Sequence, residues 1–428
     1  SDTVTFEHEK TGAQLLYIQN NDINRSFEIT FKTPAFDDTG VNHVLEHASV
    51  SGSERYPFKN LLFTILNQTY CSFVNAFTAI NLTSYPVSSM SEAQLLKLSE
   101  VYLDCVFNPY IYQDENIFKR EAWRYELESE EAPLTITGTV FSEMKGSLSS
   151  IETASYYNVM DTLFPDSVIS KNSGGDPDFI PELTYEHVLD THDAYYHPSN
   201  CLIVLYGDLD YENFLEMIDS EFLSKYDFKD IEIPDGKVEP FAEKKQANFV
   251  FPTSADSATE NSSRIEYVYA LNDISERQLI AMSVISALMN YDSSPLKRNF
   301  ATSGIGGDIG VSLNMMLPQP VLSFGVSDAD ESKSAELMAL VDESVEEMLS
   351  EGFDAALLDA VIASSEFSNS LTTEISNLGF NISYVLSNWW ATFGNTDYLN
   401  TFYEALEDVK SGGTDYLEEL VKVYVADN

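Results

Sequence analysis

Two histidines four residues apart, with a glutamate between them, constrain this chain more than any other feature: His43-Val44-Leu45-Glu46-His47. The segment follows Asp37-Asp38-Thr39-Gly40, a turn and cap signal, and lies in an apolar-periodic run from Val41 to about Ser49 that reads as a helix. On an α-helix, residues four apart lie about 40° apart around the axis, so both imidazoles leave one face within reach of a single cation. Two neutral imidazoles suit Zn2+, and a catalytic zinc site takes one more protein ligand while keeping a position for water. Glu46 lies beside that face without having to ligate, where a carboxylate can take the proton of a metal-activated water. The order H-x-x-E-H is the inverted form of the zincin motif.

The third ligand does not follow from spacing, because 69 Asp and Glu residues compete for the role. A helical carboxylate is expected, and Glu143 in Phe141-Ser142-Glu143-Met144-Lys145-Gly146 is one candidate among several.

Around the motif the chain alternates strand-like and helix-like segments. Ala13–Ile18 and Phe27–Phe31 have β-type composition and are separated by a polar turn. Pro57 opens a helix over about 58–67, followed by strand-like runs over 72–77 and 82–87. Ser91 caps an amphipathic helix reaching Val106. Residues 114–127, 139–149 and 184–195 read as helices, and Cys201–Tyr206 as an apolar strand. Positions 225–246 are rich in Lys, Asp, Glu and Pro with weak periodicity, which suits an interdomain linker. Beyond it the order repeats loosely, with strands near 247–251 and 264–270, a helix over 275–289, and a strand near 320–326 before further helices. The length of 428 residues and this repetition predict two α/β domains. The expected division is 1–225, a linker over 226–246, and 247–428.

Charge narrows the partners. A formal net charge of −46 repels phosphate backbones, so nucleic acid is not expected, whereas cationic ligands such as basic peptides are favoured. No apolar run is long enough to span a bilayer, and no membrane partner is expected. Cys71, Cys105 and Cys201 are odd in number and far apart, which argues against a disulfide framework. A reducing, cytoplasmic compartment is the expectation, and an exported mature form whose leader has been removed would read the same way.

Several ordered motifs carry a resemblance. Residues 43–57 (HVLEHASVSGSERYP), 71–86 (CSFVNAFTAINLTSYP), 139–146 (TVFSEMKG) and 196–207 (YHPSNCLIVLYG), with SGGDP at 173–177 and SSPLKRNFATSGIGG at 293–307, resemble the pitrilysin/insulinase family. The match is to its presequence-protease branch and runs from about Phe6 to the end of the chain. The resemblance implies that Glu143 is the third zinc ligand beside His43 and His47, that Glu46 is the base, and that Asn75-Ala76-Phe77 holds the substrate as an added strand. It also implies an α+β or α/β fold of two homologous domains, each a mixed sheet with helices packed on one face, making half of a clamshell. Longer members have two such halves, the second supplying an Arg and a Tyr to the active site. The chain is therefore expected to be an N-terminal half, completed by a C-terminal half or a second copy, and unfinished as a site when alone. One departure is Ala79-Ile80-Asn81-Leu82-Thr83, where relatives often carry a charged, turn-like stretch.

The resulting expectation is a zinc-dependent endopeptidase that degrades short or unfolded peptides. The alternative is a non-catalytic peptide-binding or scaffolding subunit of the same fold. His187, His192 and His197 lie five residues apart, on divergent faces of a helix, and are expected to be structural, as is His8. Gly304-Ile305-Gly306-Gly307 has the wrong spacing for a nucleotide loop, and Trp389-Trp390 reads as core.

Overall fold

The computed structural model describes residues 2–253, 261–371 and 376–428. In chain order its elements begin with β1 (Asp2–Glu7), β2 (Gln14–Gln19), β3 (Arg25–Lys32), α1 (Val41–Ser49), α2 (Leu61–Gln68), β4 (Cys71–Val74) and β5 (Phe77–Thr78). There follow β6 (Leu82–Ser89), α3 (Glu92–Phe107), α4 (Asn116–Glu121), β7 (Arg124–Glu126), β8 (Thr135–Thr137), α5 (Thr139–Ser147) and α6 (Ile151–Leu163). Next come α7 (Tyr185–Tyr195), β9 (Cys201–Gly207), α8 (Tyr211–Glu221), β10 (Ser263–Ala270), α9 (Glu276–Met289) and α10 (Pro295–Phe300). The rest are β11 (Ile309–Asn314), β12 (Val321–Ala329), α11 (Ser334–Glu351), α12 (Ala355–Leu371), α13 (Leu378–Phe393) and α14 (Tyr398–Val421).

These fall into two compact units. The first comprises Ser1–Thr153, Asp166–Asp235 and Ile375–Thr396, and the second Ala154–Pro165, Gly236–Glu374 and Asp397–Asn428. The first unit is built on a seven-stranded mixed sheet ordered β1-β2-β9-β3-β6-β4, with β5 also paired to β6. β2 runs parallel to β9, while β3 pairs antiparallel with both β9 and β6. Phe27, Ile29 and Phe31 of β3 are fully buried in one core with Leu95, Leu98 and Tyr102 of α3 and Val44 and Leu45 of α1. Each such side chain contributes on the order of 1.5–3 kcal/mol by leaving water.

The intervening residues of β3 are not solvated. Ser26, Glu28 and Thr30 are as buried as the phenylalanines, because α13 packs on β3, β6 and β9 from the other side. Trp389 of this helix is fully buried, and Trp390 donates its indole N–H to Gln14 Oε1 at 2.8 Å. The expected contiguous division at 226–246 therefore differs from the observed one. Residues 375–396 join the first unit, because the second face of its sheet, Leu202 and Val204 included, would otherwise be bare, and residues 154–165 join the second.

The second unit carries a three-stranded antiparallel sheet, β10-β12-β11, with α9 packed on β11 and α11 on β10. Ser275 and Gln278 form a reciprocal capping box at the start of α9. Both units thus carry a sheet with packed helices, as expected, but the second sheet is antiparallel rather than mixed, and in the first unit α13 covers the face opposite α1 and α3, where helices on one face were expected.

Local departures have simple causes. The expected helix over 114–127 breaks after Glu121, where Ala122 leaves helical geometry and β7 begins. The strand expected over 72–77 is split at Asn75-Ala76, where the Asn75 side-chain oxygen accepts the Ala76 N–H at 3.0 Å. Residues 247–251 form no strand, so the irregular stretch that starts at 226 extends through 253. Cys71, Cys105 and Cys201 are free thiols. Among the described residues no helix is long and apolar enough to cross a membrane.

Candidate metal centre

α1 starts at Gly40, whose carbonyl accepts the Val44 N–H at 2.9 Å. Gly40 has φ 69°, and a Cβ there would lie 2.7 Å from the carbonyl oxygen of Gly174 and from Cα of Gly175. Only glycine lets the 172–176 loop sit this close to the helix. The loop is pinned to the preceding turn, since Asn172 N–H donates to Asp38 Oδ1 and Asp176 N–H to Asp38 O, both at 2.8 Å. Asp37-Asp38-Thr39-Gly40 and Ser173-Gly174-Gly175-Asp176-Pro177 are therefore two halves of one support.

That support orients the first histidine. His43 Nδ1 donates to Gly174 O at 2.9 Å, which leaves Nε2 as the free lone pair. The second histidine is held by a residue that the sequence did not single out. His47 Nδ1 lies 3.4 Å from Oε2 of Glu121, a buried carboxylate at the end of α4. The other oxygen of Glu121 accepts from Arg120 Nε at 2.7 Å and from Ser51 Oγ at 3.1 Å.

Glu143 arrives from α5. Gly138 precedes this helix so closely packed on the end of α4 that a Cβ would lie 2.0 Å from Ala122 O. Glu143 Oε2 lies 3.6 Å from His43 Nε2 and 3.5 Å from His47 Nε2. Ligand atoms of the three residues all fall within 4.8 Å of one another, the one such His/Cys/Asp/Glu group among the described residues. Two imidazole nitrogens and one carboxylate oxygen, each imidazole backed by an outer acceptor, are the donor set of a catalytic zinc site.

The electrostatics favour a cation. Burial alone would lower the His47 pKa, but the hydrogen bond to Glu121 and the charges of Glu46, Glu121 and Glu143 outweigh it and raise the value above normal. Burial likewise would raise Glu121, yet its bonds to His47 and Arg120 bring it down to about 2. The field that holds a proton on His47 would equally hold a divalent metal.

Glu46 is buried on the same helix and accepts the Thr78 hydroxyl at 2.6 Å. Burial raises its pKa, offset in part by His43, Thr78 and His47. Thr78, like Glu121 and the Gly174 carbonyl, was not anticipated.

The remaining histidines have other employment. His192 bonds to Val106 O and Tyr112 Oη, each at 2.8 Å, and His197 caps a short helical turn by accepting the Ser199 N–H. His187 lies 3.8 Å from Asp37, and His8 bonds to Thr11 and Asp219. Asn75 and Ala76 lie between β4 and β5 and Phe77 starts β5; among the described residues both strands pair with β6 alone. The Phe77 ring stacks 5.4 Å from Phe380 of α13. The departure at 79–83 is a tight connection in which Ala79 N–H donates to Leu82 O at 2.9 Å.

Residues 182–365 match the family described as Peptidase M16 inactive domain, a span that begins after Glu143 and contains none of the four site residues. The chain is 33% identical over 429 residues to Protein HypA of Clostridium perfringens, covering 99% of this chain and 44% of that protein. It is 30% identical over 433 residues to the mitochondrial presequence protease of Schizosaccharomyces pombe, covering 99% of this chain and 43% of that protein. The chain thus spans less than half the length of these curated relatives. The first half of the periplasmic protease PqqL from Escherichia coli superposes with a TM-score of 0.67 at 16% identity, over 99% of this chain and 89% of that one. The chain is thus similar to peptidases of the M16, or pitrilysin, family and has the fold of one half of such a protein.

Proposed function

We propose that this chain is the metal-bearing half of a zinc-dependent endopeptidase that degrades short or unfolded peptides. The observation that carries the reading is the convergence of His43 Nε2, His47 Nε2 and Glu143 Oε2, with the buried carboxylate of Glu46 on the same helix. Zn2+ held by these three residues would supply a Lewis acid for the scissile carbonyl and lower the pKa of water. Glu46 accepts the proton of the attacking water and returns it to the leaving amine, and its elevated pKa suits both tasks. Thr78 fixes the Glu46 carboxylate, while Gly174 O and Glu121 hold the two imidazoles in the tautomer that ligates.

Substrate binding fits the sheet edge. Among the described residues β4 and β5 have a strand partner on one side, so a peptide adding as a strand beside Asn75-Ala76-Phe77 would be held mainly through its backbone. Such pairing selects for extended, unfolded chains, and the net charge of −46 favours basic ones. A second half, or a second copy, would complete the enzyme. The name of the matching family favours the alternative, a non-catalytic subunit, but it applies to a span outside the site.

The test is metal analysis and mass spectrometry with an unstructured basic peptide, using this chain alone and completed by a second half. One zinc per chain is expected, absent from His47→Ala. Cleavage should be chelator-sensitive, and Glu46→Gln should keep the metal while losing about 10²- to 10⁴-fold in rate. Undiminished turnover by Glu46→Gln would sink the mechanism, and zinc bound without any cleavage by the completed protein would favour the subunit.

A further inference from the structure

The two residues of β5 face opposite ways. Thr78 turns towards α1, where its hydroxyl meets Glu46, and Phe77 lies opposite Ser84 of β6, on the face of the sheet that α13 covers. Phe73 of β4 lies opposite Ser88 on that same face. Between the two phenylalanines the strand is interrupted at Asn75-Ala76, the segment at which a substrate would pair. A side chain of α13 spans the interruption. The Phe380 ring stacks 4.4 Å from that of Phe73, with the planes 27° apart, and 5.4 Å from that of Phe77, with the planes 18° apart. Tyr384, one turn further along the helix, lies 5.4 Å from Phe77 and 5.7 Å from Phe380. α13 in turn is a fixed reference. Gly379 lets it sit so close that a Cβ would collide with Ser26 Oγ and Tyr206. Asn81 Nδ2 donates to Thr392 Oγ1 at 3.2 Å, which ties the connection from β5 to β6 to the far end of the helix.

We propose that Phe380 and Tyr384 are positioning residues of the peptide-cutting site. Their rings clamp Phe73 and Phe77, and so hold the backbone from Asn75 to Thr78 where its edge can pair with a peptide and Thr78 can reach Glu46. The inference rests on the peptidase reading. Stacked and tilted ring pairs attract one another beyond the area they bury, and Phe380 makes one such pair with each of the two strands that the Asn75-Ala76 break separates. The metal ligands are supported elsewhere, His43 by Gly174 O and His47 by Glu121. Loosening the clamp should therefore weaken peptide binding and leave zinc binding unchanged, a selective loss that ordinary core packing would not produce.

The experiment compares Phe380→Ala, Phe380→Leu and Phe380→Tyr in the full chain carrying Glu46→Gln and loaded with zinc. Three quantities are read. They are affinity for a fluorescently labelled, unstructured basic peptide by anisotropy, zinc affinity by competition with a chelating dye, and hydrogen exchange of segment 71–81 by mass spectrometry. Phe380→Ala should bind the peptide about tenfold more weakly and exchange faster within 71–81, with zinc affinity within about twofold of the parent. Phe380→Tyr keeps the ring and should restore both. Phe380→Leu keeps the apolar volume without the stacking and should fall between the two. Tyr384→Ala should act in the same direction as Phe380→Ala with a smaller effect. Unchanged peptide affinity and exchange in Phe380→Ala, or in Phe380→Leu where Phe380→Ala does not fold, would overturn the proposal and leave the peptidase reading intact. Zinc affinity falling in step with peptide affinity would do the same. A parent chain that binds no peptide would overturn both.

Discussion

Glu28 offers a quantitative test of the packing between α13 and the sheet. It lies on the central strand β3, is fully buried, and accepts the Thr30 hydroxyl at 3.1 Å through Oε1, while Oε2 meets no donor in hydrogen-bond geometry. Burial pushes its carboxyl up to about 7 from 4.5, with the nearby hydroxyls of Ser387, Ser84 and Thr30 offsetting part of the effect. A carboxyl raised in the folded state binds more protons there than when unfolded. Its contribution is therefore complete below pH 4.5 and is lost as pH rises to about 7. At about 1.4 kcal/mol for each pH unit between the two values, the loss is about 3 kcal/mol. Glu28→Gln keeps the shape and removes the ionisation, so it should match the parent protein near pH 4 and exceed it by about 3 kcal/mol at pH 8. Urea unfolding followed by tryptophan fluorescence reads this directly, because Trp123, Trp389 and Trp390 all lie in the first unit. The midpoint difference at pH 8 should be about 1 M, given slopes near 3 kcal/mol per molar. Other titrating groups cancel in the comparison. Equal pH dependence in the two proteins would refute the claim that Glu28 is buried against α13 without adequate partners.

Two further substitutions probe the support of the metal centre. Glu121→Gln replaces the anionic acceptor beside His47 Nδ1 and should weaken zinc binding about 10- to 100-fold by competition with a chelating dye. Unchanged affinity would show that Glu121 does not orient the ligand. Gly40→Ala places a methyl group 2.7 Å from Gly174 O in a left-handed backbone, so the acceptor of His43 must shift. A lower thermal midpoint together with weaker zinc binding is expected, and a crystal structure with the loop unmoved would contradict the packing argument.

How much of this was legible in the sequence depends on the range of the interaction. His43, Glu46 and His47 could be read because a helix alone sets their relation, and Ser91 could be read because an N-cap acts on its own helix. Glu143 could not be chosen among 69 acidic residues without a resemblance, since its approach depends on α4 and α5 packing through Gly138. Glu121 left a faint trace. Ile117, Phe118 and Glu121 share the buried face of α4, and an acid in step with apolar neighbours is a candidate for an internal role. Thr78 left none, because its contact to Glu46 joins a strand to a helix through tertiary structure alone. The boundary of the first unit was missed for the same reason. Nothing local to residues 378–393 says that this helix covers a sheet whose strands lie more than 170 residues earlier in the chain.

That placement of α13 governs how the protein can be made. At the usual 5–20 residues per second, a ribosome needs on the order of ten seconds or more to pass from the end of the first unit's main segment to its last helix. During that time the nascent sheet has its apolar side closed and its other side open, with Ser26, Glu28, Thr30, Ser84 and Ser88 still wet. The hydroxyls and carboxyl of β3 and β6 can wait in water without seeking another chain, whereas Leu202, Val204 and Tyr206 on the same side of β9 cannot. The polar centre of this interface, a cost to the finished molecule, narrows the sticky area left open during synthesis to the strip along β9.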